Sequence, residues 1–175
     1  MATRPPSKRG HGPKAVIVNG WRLYAHPLFL DQLEALRTEV ERCKRRNPTT
    51  WRQKDAAKRL AAIYKLIWEV IPADPDSPKF RLGKTLGSAY GHWRRAKFFK
   101  RYRLFFRYSS EHRVIVFVWV NDRTSLRATG SKRDVYAVFK NMLARGHPPD
   151  DFPSLVAEAE GTGGGLTEAT TKRRP

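Results

Sequence analysis

The sequence predicts a small α+β domain, and three observations carry that prediction. Two amphipathic helical stripes follow one another between residues 29 and 71, three strand-length runs lie between 93 and 120, and one further helical stripe follows. The chain has 175 residues, enough for one domain with a real core and little room for a second.

Taken in order, residues 1–14 (MATRPPSKRGHGPK) are rich in proline, glycine and cations and are expected to form a disordered basic tail. The domain is drawn at 15–160, with GTGGGLTEATTKRRP (161–175) as a flexible tail. VIVNGWRLYAHP (16–27) reads as a first strand or bent hairpin stopped by Pro27. From Phe29 the apolar positions Phe29, Leu33, Leu36, Val40 and Cys43 are spaced 4, 3, 4 and 3, one stripe of a helix. Lys44, Arg45 and Arg46 close it where the helix dipole favours cations, and Asn47–Pro48 ends it. Thr50-Trp51-Arg52-Gln53 then matches a capping box. It opens a second helix to about Ile71, burying Leu60, Ala61, Tyr64, Ile67, Trp68 and Ile71 before Pro72. Two helices joined by a few residues form an antiparallel hairpin.

ADPDSPKF (73–80) is a loop, and the strand candidates are about 93–98, 101–108 and 113–120. The last, RVIVFVWV, is apolar on both parities, so it belongs in the middle of a sheet covered on both faces. Ser109–His112 makes a hairpin turn. A third helix opens at the capping box Ser131-Lys132-Arg133-Asp134, buries Val135, Val138, Phe139 and Met142, and ends before Gly146.

Lys and Arg total 35 against 16 Asp and Glu, a net charge of +19 that favours polyanionic partners. Cys43 is the only cysteine, which excludes an intrachain disulfide and a cysteine-based zinc site. No run of 18 apolar residues and no secretory leader pattern appear, so a soluble, cytoplasmic protein without membrane contact is expected. The charge is concentrated: the 34 residues from Ser77 to Ser110 hold ten Lys or Arg and no Asp or Glu. Within them RYRLFFRY (101–108) alternates Tyr102, Leu104, Phe106 and Tyr108 with Arg101, Arg103 and Arg107. Side chains alternate across a strand, which predicts one face in the core and an outer face of three guanidinium groups within about 20 Å.

With no acid in the segment, the charge on that face is expected to be answered by an anion from outside, the alternative being a solvated basic face. Nucleic-acid phosphate fits best. WRRAKFF (93–99) adds Arg95 and Lys97 beside Arg101 and Arg103, with Arg94, Lys100 and Lys84 close in sequence. Tyr90, His92 and Trp93 are candidates to stack on or hydrogen-bond to bases. Of the histidines, His92 and His147 are placed to titrate near this surface, the latter beside Asp150 and Asp151 in RGHPPDD. His26 and His112 read as structural. The basic segment offers no paired carboxylates for a metal, so neither metal nor cofactor is expected.

Strand, helix pair, then strands carrying RRAKFFKRYRLFFRY and VIVFVWVNDRTSLR before DVYAVF resemble the RelE/ParE superfamily of toxin–antitoxin systems. Within it, VNGWRLYAHPLF, RYRLFFRY, WVNDRTSLR and ARGHPPDDF look like the YhaV toxins over roughly residues 16–156. The resemblance implies a RelE-like fold: an N-terminal helical hairpin on a mostly antiparallel sheet, with a C-terminal helix. It implies a metal-independent endoribonuclease that cleaves mRNA, often on the ribosome, and arrests translation and growth. A cognate AbrB-like (PrlF-type) antitoxin would neutralise it, and the complex would bind operator DNA.

Arg95 and Lys97 match the family's alternating basic pair, Arg103 its Tyr-Arg arginine, Arg127 (in preference to Arg123) its loop arginine, and Tyr136 the tyrosine of its last helix. RNA is cut by attack of its own 2′-OH on the adjacent phosphate. Arg95, Arg103 and Arg127 would stabilise the extra charge, and Lys97 is the candidate base. Lys84, Trp93, Arg94, Lys100, Arg101 and Arg107 would bind RNA, with His92 or His147 as acid or base. The alternatives are a ParE-like gyrase inhibitor and a non-catalytic nucleic-acid binder.

Overall fold

The computed structural model describes residues 16–161 and Leu166. Five strands, β1 (Val16–Val18), β2 (Trp21–Ala25), β3 (Arg94–Phe98), β4 (Tyr102–Ser109) and β5 (Val114–Val120), form one sheet in the order β1-β2-β5-β4-β3, with β2 and β5 parallel and every other pair antiparallel. Strands β1 and β2 are a hairpin. Its two-residue turn needs left-handed backbone at both positions, which Asn19 (φ 50°) and Gly20 (φ 79°) provide.

Helix α1 (Pro27–Arg46) follows at once. Pro27 ends the strand as expected, and it also opens the helix, where its missing N–H is no loss. Phe29, Leu33, Leu36 and Val40 are buried and Cys43 half-buried, the predicted stripe. The Thr50 capping box does not form. Trp51–Gln53 is a 3-10 turn without a side-chain cap, Lys54 is extended, and α2 starts at Asp55. Burial of Trp51, with Lys44 and Arg52 each 4.5 Å over its ring, sets the local conformation instead. Helix α2 (Asp55–Lys65) runs on through a π-helical turn (Leu66–Val70) into the short α3 (Ile71–Ala73). Ala61 is exposed and Ile63 takes its place; the wider turn lets Leu66, Ile67, Trp68 and Ile71 all face inward. Helices α1 and α2 pack on each other and, with Leu104, Phe106 and Phe117 of the sheet, enclose one core cluster.

Strands β3, β4 and β5 complete the sheet, and every residue of β5 is buried. In β4 the outer face differs from expectation. A bulge falls between Phe105 and Phe106, and both rings are fully buried, Phe106 with the α1/α2 core and Phe105 on the opposite side. That second side is covered by α4 (Val135–Ala144) and α5 (Phe152–Gly161), with Phe139 of α4 stacked on Phe105 at 4.0 Å. Arg103 is accordingly 6% exposed, buried and not on an open face.

Asp134 itself caps α4, accepting from the Tyr136 N–H, while Ser131 accepts from the Arg133 N–H just before it. The buried residues are Val135, Tyr136, Phe139 and Leu143; Val138 and Met142 are only half-buried. Gly146 (φ 74°) follows as the left-handed stop. Helix α5 has no counterpart in the sequence reading. Of the expected tails, residues 1–14, 162–165 and 167–175 lie outside the described residues, as does residue 15 of the drawn domain, whereas Gly161 closes α5 and Leu166 is buried in the α1/α2 core. Among the described residues no helix is long and apolar enough to cross a membrane.

His26, fully buried, joins these pieces. Its Nδ1 accepts from the Leu28 N–H at the head of α1, and its Nε2 lies 2.6 Å from Glu158 of α5. Burial lowers its pKa, although Glu158 and Asp31 oppose the shift; His147, its ring centroid 5.8 Å away, adds to it. A histidine with a folded-state pKa below its unfolded value of about 6.5 stabilises above that pH. The contribution is lost as pH falls from there toward the folded value, because the unfolded chain takes up the proton first. Thermal midpoints between pH 8 and 5.5 should therefore fall with acid. His26→Asn, which keeps a capping oxygen but does not titrate, should flatten the trend; an unchanged slope would clear His26.

Candidate functional site

Three sequence-predicted arginines gather around one sequence-predicted tyrosine, and two of them donate to its hydroxyl. The Tyr136 side-chain oxygen, in the first turn of α4, accepts from Arg95 Nε of β3 and from Arg103 Nε of β4, each at 2.9 Å. Register explains the meeting: Arg95 pairs with Phe105 and Lys97 with Arg103, so the two strands carry their cations to the end of the sheet that α4 covers. Arg127 completes the group, its guanidinium 4.9 Å over the Tyr136 ring and its Nη1 donating to Asp134 at 2.6 Å. Burial of Asp134 would raise its pKa, but that hydrogen bond, the Ala128 and Tyr136 N–H groups and the Arg127 charge together hold it below the usual carboxylate range. Lys97, opposite Arg103, is exposed at the edge.

The electrostatics are one-sided. Arg95 gives Nη1 to the Lys79 and Arg81 carbonyls, and Arg103 gives its own to those of Lys100 and Tyr102. Both are buried, and among the described residues neither has a carboxylate partner. Neutral dipoles hold the guanidinium groups in place without cancelling their charge. Tyr136, accepting two N–H bonds, keeps its own O–H proton to donate. That makes the site a pre-organised receptor for a negative group.

Sequence reasoning missed Asn121. Only 3% exposed, it accepts from the Arg103 N–H at 2.7 Å and donates to the Arg101 and Ser125 carbonyls at 3.1 and 2.8 Å. It thereby ties the start of β4 to the loop bearing Arg127, whose own N–H donates to the Arg101 carbonyl. Its position directly after the all-apolar β5 was the available signal, since a buried amide there must find partners.

Other predicted residues lie elsewhere. Arg123 pairs with Asp55 and Glu39 on the α1/α2 side, leaving Arg127 as the loop arginine beside Tyr136. Trp93 is fully buried, edge-on to Phe139, and donates to Asp150; it is a core residue with no face for a base. Arg107 lies 5.1 Å over the Trp93 ring and donates to the Asp150 carbonyl, and the Asp150 and Asp151 charges answer its own. A local acid thus exists for it, contrary to the sequence reading. Arg94 turns to the opposite face, 5.7 Å over Tyr108. His92, not His147, partners Asp150, at 2.6 Å, while Asp151 is engaged by Ser154. Lys84, Lys100 and Arg101 are exposed, and Arg101 Nε donates to the Arg127 carbonyl. Among the described residues no three His, Cys, Asp or Glu side chains gather in a metal-binding group.

A small α+β domain with two uncompensated arginines donating to one hydroxyl has the electrostatics of a protein suited to polyanions. The family model that matches is that of Toxin_YhaV, a toxin with endonuclease activity of a toxin–antitoxin system, over residues 23–160. The chain belongs to this family. It is 51% identical over 145 residues to Toxin YhaV of Escherichia coli O6:H1, covering 82% of this chain and 94% of that one. It is 50% identical over 147 residues to Ribonuclease toxin YhaV of Escherichia coli K12 and to Toxin YhaV of strain O157:H7, in each case 83% of this chain and 96% of the relative. No solved structure matches. Membership in a toxin–antitoxin system gives the protein an antitoxin partner.

Proposed function

We propose that this protein is a metal-independent endoribonuclease toxin with a RelE-like fold, which cleaves mRNA in the cytoplasm and stops translation. The observation that carries the chemistry is the Tyr136 hydroxyl held by Arg95 and Arg103 with Arg127 on its ring. The 2′-OH attacks the neighbouring phosphorus, the P–O5′ bond breaks, and a 2′,3′-cyclic phosphate and a 5′-OH result. Tyr136 and Arg127 meet the phosphate oxygens as charge accumulates, while Arg95 and Arg103 act through Tyr136 by fixing its oxygen. Lys97, the exposed cation paired in register with Arg103, would exchange a proton with the 2′-OH or the leaving oxygen. An AbrB-like antitoxin would neutralise the toxin, the ribosome would present the mRNA, and the toxin–antitoxin complex would bind operator DNA.

The test uses purified protein and a defined RNA in EDTA. Cleavage should persist and leave 2′,3′-cyclic or 3′-phosphate ends. Activity lost on chelation and restored by a divalent ion, or 5′-phosphate products, would replace this mechanism with a metal-dependent one.

A further inference from the structure

Two open grooves flank the loop that carries Arg127. One, of about 430 Å³, is lined by Thr85, Lys132, Tyr136 and Lys140 together with Arg127. The other, of about 610 Å³, is lined by Arg101, Leu126, Ala128 and Arg133 with Arg123. Ser131 lines both, so the loop is a ridge between them. The ridge is well tied: the Arg127 N–H donates to the Arg101 carbonyl, the Ala128 N–H to Asp134, and the Ser131 N–H to the Ala128 carbonyl. Gly130, at φ 83°, provides the left-handed residue the turn requires.

The charges on the two sides are unanswered. Among the described residues Lys132, Lys140, Arg101 and Arg133 make no ion pair. The acids on this side are already engaged, Asp134 by Arg127 and by backbone N–H groups, Asp55 and Glu39 by Arg59 and Arg123. Cations without a carboxylate partner in two grooves that share Ser131, the first of them lined by Arg127 and Tyr136, describe a track for a backbone that crosses the ridge beside that pair.

We infer that single-stranded RNA crosses this ridge, its phosphates on one side of the cut held by Lys132 and Lys140 and those on the other by Arg101 and Arg133. The inference rests on the nuclease reading for its polyanion. It adds a substrate footprint of at least one phosphate on each side of the scissile one. The bland alternative is a set of solvated surface cations, which bind no phosphate in particular.

Lys140→Gln and Arg133→Gln test it, with binding followed by fluorescence anisotropy on 2′-O-methyl RNA oligonucleotides, which offer no attacking hydroxyl. Each substitution should weaken binding several-fold. Each should also reduce the slope of log Kd against log salt by about 0.7, the increment for one single-strand phosphate contact. Trimming the oligonucleotide from one end should erase the effect of one substitution and spare the other; trimming from the opposite end should reverse the pattern. Unchanged slopes, or effects that survive trimming from both ends alike, would overturn the track. Wild-type protein that binds in this pattern yet never cuts unmodified RNA would keep the track and sink the nuclease reading instead.

Discussion

Tyr136→Phe should slow RNA cleavage by ~10²–10³, the loss typical of one pre-organised donor to a developing anion. The ring stays, so its edge contact with Phe105 at 5.9 Å and the Arg127 guanidinium 4.9 Å above it are retained. What disappears is one oxygen, and with it the proton offered to the phosphate and the acceptor shared by Arg95 and Arg103. Two buried N–H donors lose their partner, which should cost about 1–3 kcal/mol of stability. The protein should therefore melt earlier but cooperatively. Measured at saturating RNA, the loss should lie in kcat and hardly at all in KM, because the outer cations still engage the flanking phosphates. A phenylalanine variant that cleaves at the wild-type rate would remove Tyr136 from the chemistry and leave it a packing residue.

How much of this was legible beforehand differs from element to element. Strand β5 announced itself, because RVIVFVWV is apolar on both parities and only a central strand buries both. Helix α1 did so as well, through a stripe of large residues at regular spacing. Helix α5 did not: its buried residues are Leu155 and Ala159, one of them small, too little to stand out as a stripe. In RYRLFFRY the alternation was real but its meaning was misread. Phe105 shares the arginine parity, and it was the sign that this face too lies under something. Alternation says which side chains share a face; it does not say whether that face is open.

The candidate site was legible as a set of residue types and illegible as an arrangement. Arg95, Arg103, Arg127 and Tyr136 could be picked out from charge and family resemblance. That two of these arginines donate to one hydroxyl could not, since Tyr136 lies 41 and 33 residues away from them in the chain. Asn121 acts through three hydrogen bonds of a neutral amide, and neither charge nor periodicity registers such a role.

Burial also reverses the expectation for Arg103→Ala. On an open, repelling face the substitution would leave stability unchanged or improved. In the fold, the Arg103 guanidinium lies under α4, satisfying the Tyr136 oxygen and the Lys100 and Tyr102 carbonyls. Its removal takes one of two donors from the Tyr136 oxygen and the guanidinium from the Lys100 and Tyr102 carbonyls, so the variant should lose about 1–3 kcal/mol for the unmet groups alone. Cleavage per folded molecule should fall as far as in Tyr136→Phe, about 10²–10³, because the hydroxyl keeps only its Arg95 bond and is no longer fixed from both strands. If Arg103 works through Tyr136, the two losses are one loss counted twice. The double variant should then cleave no more slowly than the worse single one, the behaviour of residues that act as a unit. Thermal melts establish the folded fraction, and single-turnover cleavage of one RNA by the wild type, both single variants and the double variant closes the cycle. Losses that multiply instead would mean that Arg103 reaches the phosphate on its own, past the tyrosine rather than through it.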